Sequence, residues 1–263
     1  MNWKMIDNMR KRYIRQGERT FARMYATIRK QLDAELEKAE TAGEIERIAN
    51  DFIVDQEVFE KAITDTKLRV GVAFAKITHQ RFKSANMPMQ TKEVGIDEGF
   101  WLELMQQYIN RKIASKITQV IQTEYKDIQA NTLKAITLGS ENGWGAERIA
   151  REIVKEQGKM DFWKAKRIAR TEIVGASNEG AIVGASQAGI ELEKVWLSSP
   201  SGDPRDAHLA INGDKVGMDE MFYVNGEPME YPHDPNAPAS EVINCRCAVG
   251  FEPKQTIEEI AGL

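Results

Sequence analysis

Two cysteines and three histidines are all the thiols and imidazoles of this 263-residue chain. So few cysteines exclude a disulfide-dense secreted scaffold. Long hydrophobic runs are missing too: stretches such as Ala181–Ala185 are far too short to cross a bilayer. Residues 1–30 have no apolar segment of the kind a signal peptide needs, so the expected setting is a reducing cytoplasm. There the cysteines are thiols or metal ligands rather than a disulfide. Phosphate-loop, dinucleotide and serine-hydrolase fingerprints are absent as well. Proline is nearly missing from the first 195 residues, with Pro88 the one exception among eight. That leaves long stretches free to be helical.

What is present is charge, at 29% of residues, distributed unevenly. Residues 196–263 hold 12 acidic and 4 basic side chains, whereas residues 1–30 hold nine Lys or Arg against Asp7 and Glu18. Ends of opposite sign suit two different surfaces, although solvated faces explain the same pattern. The basic start, with Arg10, Lys11, Arg12, Arg15, Arg19 and Arg23, is a candidate DNA contact without a recognised nucleic-acid motif.

Helical periodicity dominates the first 195 residues. Phe21, Met24, Tyr25, Ile28, Leu32, Leu36 and Ala39 form one stripe, and Gly43 is its expected stop. A second stripe passes through Phe59, Ile63, Thr66, Val70, Ala73, Phe74 and Ile77, before a loop predicted over 84–95. A third runs from Trp101 to Ile136, and Gly139 is expected to end it. As one helix of about 40 residues it would span roughly 60 Å. A glycine-rich turn over 139–145 then precedes a short helix, Ala146–Glu156. Asp161 is the expected cap of another helix reaching about Gly189. Gly175, Ala176, Ser177, Gly180, Ala181, Gly184, Ala185 and Ser186 make that last helix rich in small residues, which predicts close approach of a second backbone. After Trp196 the texture changes. Seven prolines, short apolar pieces (Met221–Val224, Val242–Ile243) and the turn signals Asn212-Gly213 and Asn225-Gly226 predict a small module of short strands.

The fold class expected is therefore α+β, mainly α: an elongated helical N-terminal part and a small loop-rich C-terminal module. The expected domains are a helical arm or bundle over 1–139, a helical segment over 140–195, and an acidic module over 196–263.

The module also holds most of the unusual chemistry. His208, His233, Cys245 and Cys247 supply the ligand number and types that zinc prefers, although Cys-x-Cys is less diagnostic than Cys-x-x-Cys. Asp206 and His208 are a candidate acid–base pair, with Cys245 a candidate nucleophile. Equally, polar groups here serve to brace turns. On the small-residue helix, Glu172 shares a face with Ala165, Ala169, Ala176 and Gly180. A carboxylate there needs a cationic partner, for which Arg246 and Arg205 are candidates.

Four motifs occur in a telling order: Trp144–Ile153, the run Arg167-Ile-Ala-Arg170-Thr171-Glu172, then Asp206-Ala-His208-Leu-Ala-Ile-Asn-Gly213, and finally Ile243-Asn244-Cys245-Arg246-Cys247. Together they resemble the Mu F-like head morphogenesis, or minor head protein, family of tailed phages, over about residues 140–250. The resemblance carries Arg170, Thr171, Glu172, His208, Gly213, Asn244, Cys245, Arg246 and Cys247 as matched positions. Many relatives place a Cys-Pro-x-Cys before the glycine, where this chain has Ser201-Gly-Asp-Pro-Arg-Asp206. An equivalent metal site would then have to use His208 and His233. The resemblance implies a minor capsid protein inside the head near the portal, present in the host cytoplasm during assembly. Its implied partners are the portal and the major capsid or scaffolding protein, with no membrane and no enzymatic turnover. The alternatives are a metal-dependent enzyme or toxin centred on the His/Cys module, and a nucleic-acid binder acting through residues 1–30.

Overall fold

The computed structural model describes residues 3–84, 98–110, 113–200 and 204–254. Six longer helices come first: α1 Trp3–Leu36, α2 Ala42–Asp51, α3 Gln56–Ser84, α4 Glu98–Asn110, α5 Ile113–Asn142 and α6 Ala146–Ser186. The remainder is β1 Leu192–Leu197, α7 Asp206–Ala210, β2 Lys215–Gly217, β3 Phe222–Val224, β4 Glu227–Met229, α8 Ala239–Val242 and β5 Ala248–Pro253. This is the mainly helical α+β class expected. The chain forms two compact units. One comprises Met1–Arg15, Thr64–Ile113 and Arg170–Leu263, the other Gln16–Ile63 and Ala114–Ala169.

In the second of these units, all helical among the described residues, the apolar face of α1 is buried as its periodicity predicts, through Phe21, Met24, Tyr25, Ile28, Leu32 and Leu36. α1 ends at Leu36, and Gly43 falls in the first turn of α2 rather than stopping α1. Thr41 caps α2. Its hydroxyl accepts the Glu44 N–H at 3.2 Å while the Glu44 carboxylate accepts the Thr41 N–H at 3.1 Å, a reciprocal box that glycine-based reasoning overlooked. The Trp101–Ile136 stripe is carried by two helices, α4 and α5, because periodicity reveals an apolar face and not where one helix hands over to the next. The loop predicted over 84–95 lies outside the described residues from 85 onward.

Gly139 sits inside α5, and its lack of a side chain serves packing: a Cβ there would lie 2.6 Å from Ile149 Cγ1. The helix stop is Gly143, at φ 66°. Nor does Asp161 cap a helix. α6 runs unbroken from Ala146 to Ser186, and Asp161 is buried within it against the Arg29 guanidinium. Burial raises its carboxyl to about 6, with Arg29 opposing the rise.

The first unit joins helical segments to the short strands. β1 is central in a three-stranded antiparallel sheet of order β2-β1-β5, with Trp196 opposite Val249 and Lys194 opposite Phe251. β3 and β4 form a hairpin, closed by Asn225 and Gly226 at φ 52° and 80°. Two successive positive φ values match strand twist, which is why Asn-Gly signals such a turn. Val242, an expected strand residue, instead ends the short helix α8. The small residues of α6 meet a second backbone, as predicted. A Cβ on Gly180 would stand 2.1 Å from the Gly71 carbonyl oxygen of α3, and one on Gly184 would stand 2.3 Å from that of Ala75.

Two expectations follow. Gly180→Ala meets rigid backbone and lowers stability by about 3 kcal/mol, whereas Gly71→Ala meets the movable Met105 methyl and costs about 1 kcal/mol or less; urea unfolding of the two variants checks the contrast. For Asp161, the folded carboxyl near 6 lies above its unfolded value, so the folded chain binds the extra proton between the two. Stability from this group is therefore lost as pH rises from about 4 through 6. Asp161→Asn removes that slope, and its urea midpoint relative to wild type should rise between pH 4 and pH 7.

Candidate functional site

Arg10 lies on the α1 stripe, in step with Ile6 and Phe21, and is 4% exposed. Its Nε donates to Ser177 Oγ at 2.7 Å, Nη2 to Asn178 Oδ1 at 2.7 Å, and Nη1 to the Arg246 carbonyl at 3.0 Å. Asn178 extends the network, donating to the Pro232 carbonyl at 2.7 Å and accepting the Val249 N–H at 3.2 Å. Burial lowers the guanidinium to about 10, so it remains cationic at neutral pH. The expectation that Arg10 belongs to a basic surface is therefore corrected. Lys11, Arg12, Arg15, Arg19 and Arg23 are exposed.

Behind this network, α3 and α6 hold a buried charge cluster. Lys67 Nζ lies 2.6 Å from Glu179 Oε1 and 3.8 Å from Glu172 Oε2, with all three side chains at most 5% exposed. Burial works against the ammonium, but Glu179 and Glu172 outweigh it and raise Lys67 above its ordinary value. The partner of Glu172 is thus Lys67, not Arg246 or Arg205. Periodicity placed Glu172 on an inward face, but the identity of the facing helix decided which cation meets it. Arg205 instead donates to the Ile243 carbonyl at 2.8 Å.

Three of the matched positions, Arg170, Thr171 and Asn244, meet at the turn that precedes β5. Asn244 adopts φ 60°, its N–H donates to Thr171 Oγ1 at 3.4 Å, and its Oδ1 accepts from Arg170 at 3.4 Å. Gly213 takes φ 91° while its N–H donates to the Trp196 carbonyl at 2.8 Å. Cys245 and Cys247 project into the core of the module, where Trp196, Phe222, Val224, Met229 and Val242 surround them.

His208, on α7, reaches the same place. Its Nδ1 lies 3.5 Å from Cys245 Sγ and 3.5 Å from Cys247 Sγ, and its Nε2 lies 2.9 Å from Glu241 Oε2. The Trp196 ring stands edge-on to the imidazole, with centroids 5.3 Å apart. Although burial opposes it, hydrogen bonding to Cys247 and Glu241 raises the His208 pKa. The hydrogen bond from Cys245 lowers Cys247 to about 5, and the same pairing pushes Cys245 up. A cavity of about 30 Å³ opens beside the three side chains, lined by Ser199, Pro204, Arg205, Asn244 and Arg246.

His233 is not gathered with them. Its Nε2 lies 2.6 Å from the Cys245 carbonyl oxygen, where it braces the turn. Asp206 is exposed at the start of α7, and the carboxylate facing His208 is that of Glu241. Sequence reasoning missed Glu241, Lys67 and Asn178, and read Arg10 as a surface group. A charge lying on a buried apolar stripe was the available signal for Arg10. Glu241 stands in a loop-rich stretch where no periodicity marks direction.

A family model described as "Phage Mu protein F like protein" matches residues 126–250, a span that includes α6, the whole strand module up to Gly250, and every matched position above. Residues 126–250 belong to the phage Mu F-like family. The chain is 30% identical to the NAD(+)–arginine ADP-ribosyltransferase EFV of Enterococcus faecalis over 159 residues, which are 59% of this chain and 31% of that protein. It is 26% identical to the uncharacterized protein YqbB of Bacillus subtilis, over 52% of this chain and 45% of that protein. It is 21% identical to the minor head protein GP7 of Bacillus phage SPP1, over 93% of this chain and 75% of GP7. The chain thus spans less than half the length of the first two. No solved structure matches it. Among the described residues, no helix is long and apolar enough to cross a membrane.

Removing one member of the buried cluster leaves charge without compensation. Lys67→Met should cost about 3–5 kcal/mol, and pairing it with Glu179→Gln should recover part of that loss, as read from a double-mutant cycle of unfolding free energies.

Proposed function

We propose that this chain is a minor capsid protein of a tailed-phage head, bound to the portal or the inner capsid, and that it aids head assembly, DNA packaging or ejection. The observation that carries the proposal is the extent of the likeness to the SPP1 minor head protein. It runs through 93% of this chain, so the helical N-terminal half is included as well as the Mu F-like segment. The burial pattern supports a structural role. The buried Lys67, Glu172 and Glu179 of α3 and α6 are spent on one another, and the cavity beside His208 is too small for a substrate beyond the size of a water molecule.

On α6, Phe162 and Trp163 are 54% and 68% exposed, with their rings in edge contact at 5.3 Å and the Lys166 ammonium 4.3 Å from the Phe162 ring centre. Adjacent exposed aromatics are typical anchors of a protein interface, and this pair is the proposed contact with portal or capsid. The exposed Lys11, Arg12, Arg15 and Arg19 are the proposed contact with packaged DNA. The chain resides in the head interior near the portal, and in the host cytoplasm while heads assemble.

The alternative, an enzyme or toxin, draws on the transferase relative. That likeness reaches 31% of the transferase, and the activity in its name belongs to the whole of that protein.

Peptide mass spectrometry of purified heads should find this chain at a fixed ratio of a few copies per portal, and the double change Phe162→Ala, Trp163→Ala should reduce its incorporation at least several-fold. Absence from heads, together with transfer of radiolabelled ADP-ribose from NAD to arginine by the purified chain, would replace the structural reading with the enzymatic one.

A further inference from the structure

The geometry points to a zinc site, which we propose is formed by Cys245 Sγ, Cys247 Sγ and His208 Nδ1, with Glu241 as the carboxylate that orients the histidine. The inference is independent of any role in the head. It starts from the ligand atoms, all of which lie within 4.8 Å of one another on three buried side chains. Zinc binds sulfur at about 2.3 Å and imidazole nitrogen at about 2.0–2.1 Å, so tetrahedral coordination puts a sulfur and a nitrogen about 3.5 Å apart. The distance from His208 Nδ1 is 3.5 Å to each of the two sulfurs. The pocket therefore has the dimensions of a coordination sphere.

The other face of the imidazole supplies independent support. Nε2 lies 2.9 Å from Glu241 Oε2, and Asn225 Nδ2 donates to Glu241 Oε1 at 3.3 Å, so the carboxylate is itself held in place. Donation of the Nε2 proton to a carboxylate leaves the Nδ1 lone pair directed at the two sulfurs. This carboxylate–histidine arrangement recurs behind metal-bound imidazoles and fixes the tautomer that binds. Without a metal, two sulfurs converge on a single lone pair that accepts one proton. With zinc, two thiolates balance the ionic charge and the lone pair makes the third bond. An all-nitrogen-and-sulfur donor set of this softness favours zinc over magnesium or calcium.

The fourth position faces the cavity of about 30 Å³, which has room for one water molecule. His233 acts by positioning. Its bond to the Cys245 carbonyl fixes the turn from which both sulfurs project. The site joins α7 to the turn before β5, two segments separated by 37 residues in a module whose strands are mostly three residues long. A metal clamp there performs the work that a larger core would do elsewhere.

The test uses the full chain, purified without a metal-affinity tag or chelator, then incubated with zinc chloride and dialysed. Elemental analysis should give about one zinc per chain in the wild type, and a loss of at least tenfold in Cys247→Ser and His208→Ala. Replacing zinc with cobalt(II) should produce the thiolate charge-transfer and tetrahedral d–d absorption of a sulfur-bound ion in the wild type, a readout that needs no variant to fold. Glu241→Gln should retain the metal with affinity weakened about 10–100-fold in competition with a chromogenic chelator. Folded wild-type chain that binds no zinc, or a cobalt spectrum without sulfur ligation, would overturn the proposal.

Discussion

The buried Arg10 guanidinium holds together the part of the molecule on which its unusual chemistry depends. Its donors are shared between two α6 side chains, Ser177 and Asn178, and the backbone carbonyls of Arg246 and Cys247. Asn178 then reaches the Pro232 carbonyl and both the Cys247 carbonyl and the Val249 amide. A segment with seven prolines and strands of three to six residues has few ladder hydrogen bonds with which to define its own path. Charge-assisted bonds from one rigid, planar donor supply that definition, and their directionality transfers the position of α1 and α6 to the cysteine turn.

The consequence is a division of labour along α6. Its glycines allow α3 to approach to backbone contact, its Glu172 and Glu179 enclose Lys67, and its Ser177 and Asn178 hold Arg10. Each interaction requires the others. Gly180 brings α3 close, and that approach sets Lys67 between two carboxylates; the charges are tolerable only because each buried cation has a partner within reach. The strand module rests on this foundation. Trp196, at the centre of the sheet, packs its edge against His208, and His208 faces both cysteines.

The likeness to a phage minor head protein fits an architecture of this kind. Long helices carry exposed aromatic and basic side chains, while Lys67, Glu172 and Glu179 are buried against one another. The role proposed in a phage head asks for a fold that persists among other proteins, and the clamp proposed at His208 serves that end.

Sequence alone determined what depends on local chemistry and period. The apolar stripes of α1 and α3, the small-residue face of α6, the Asn225-Gly226 turn and the change of texture near Trp196 were all legible, because 3.6-residue periodicity, glycine and proline act on their own neighbours. The family was legible as well, from the order of its motifs. Tertiary structure decided which partners meet. Lys67 rather than an arginine faces Glu172, Glu241 rather than Asp206 faces His208, His233 braces the Cys245 carbonyl instead of joining the sulfurs, and Asp161 is buried in mid-helix beside Arg29. Those pairings join residues from 12 to 132 positions apart, and a charged side chain does not encode the direction from which its counter-charge arrives. That information resides in the packing of the helices, which the pattern of one chain segment cannot express.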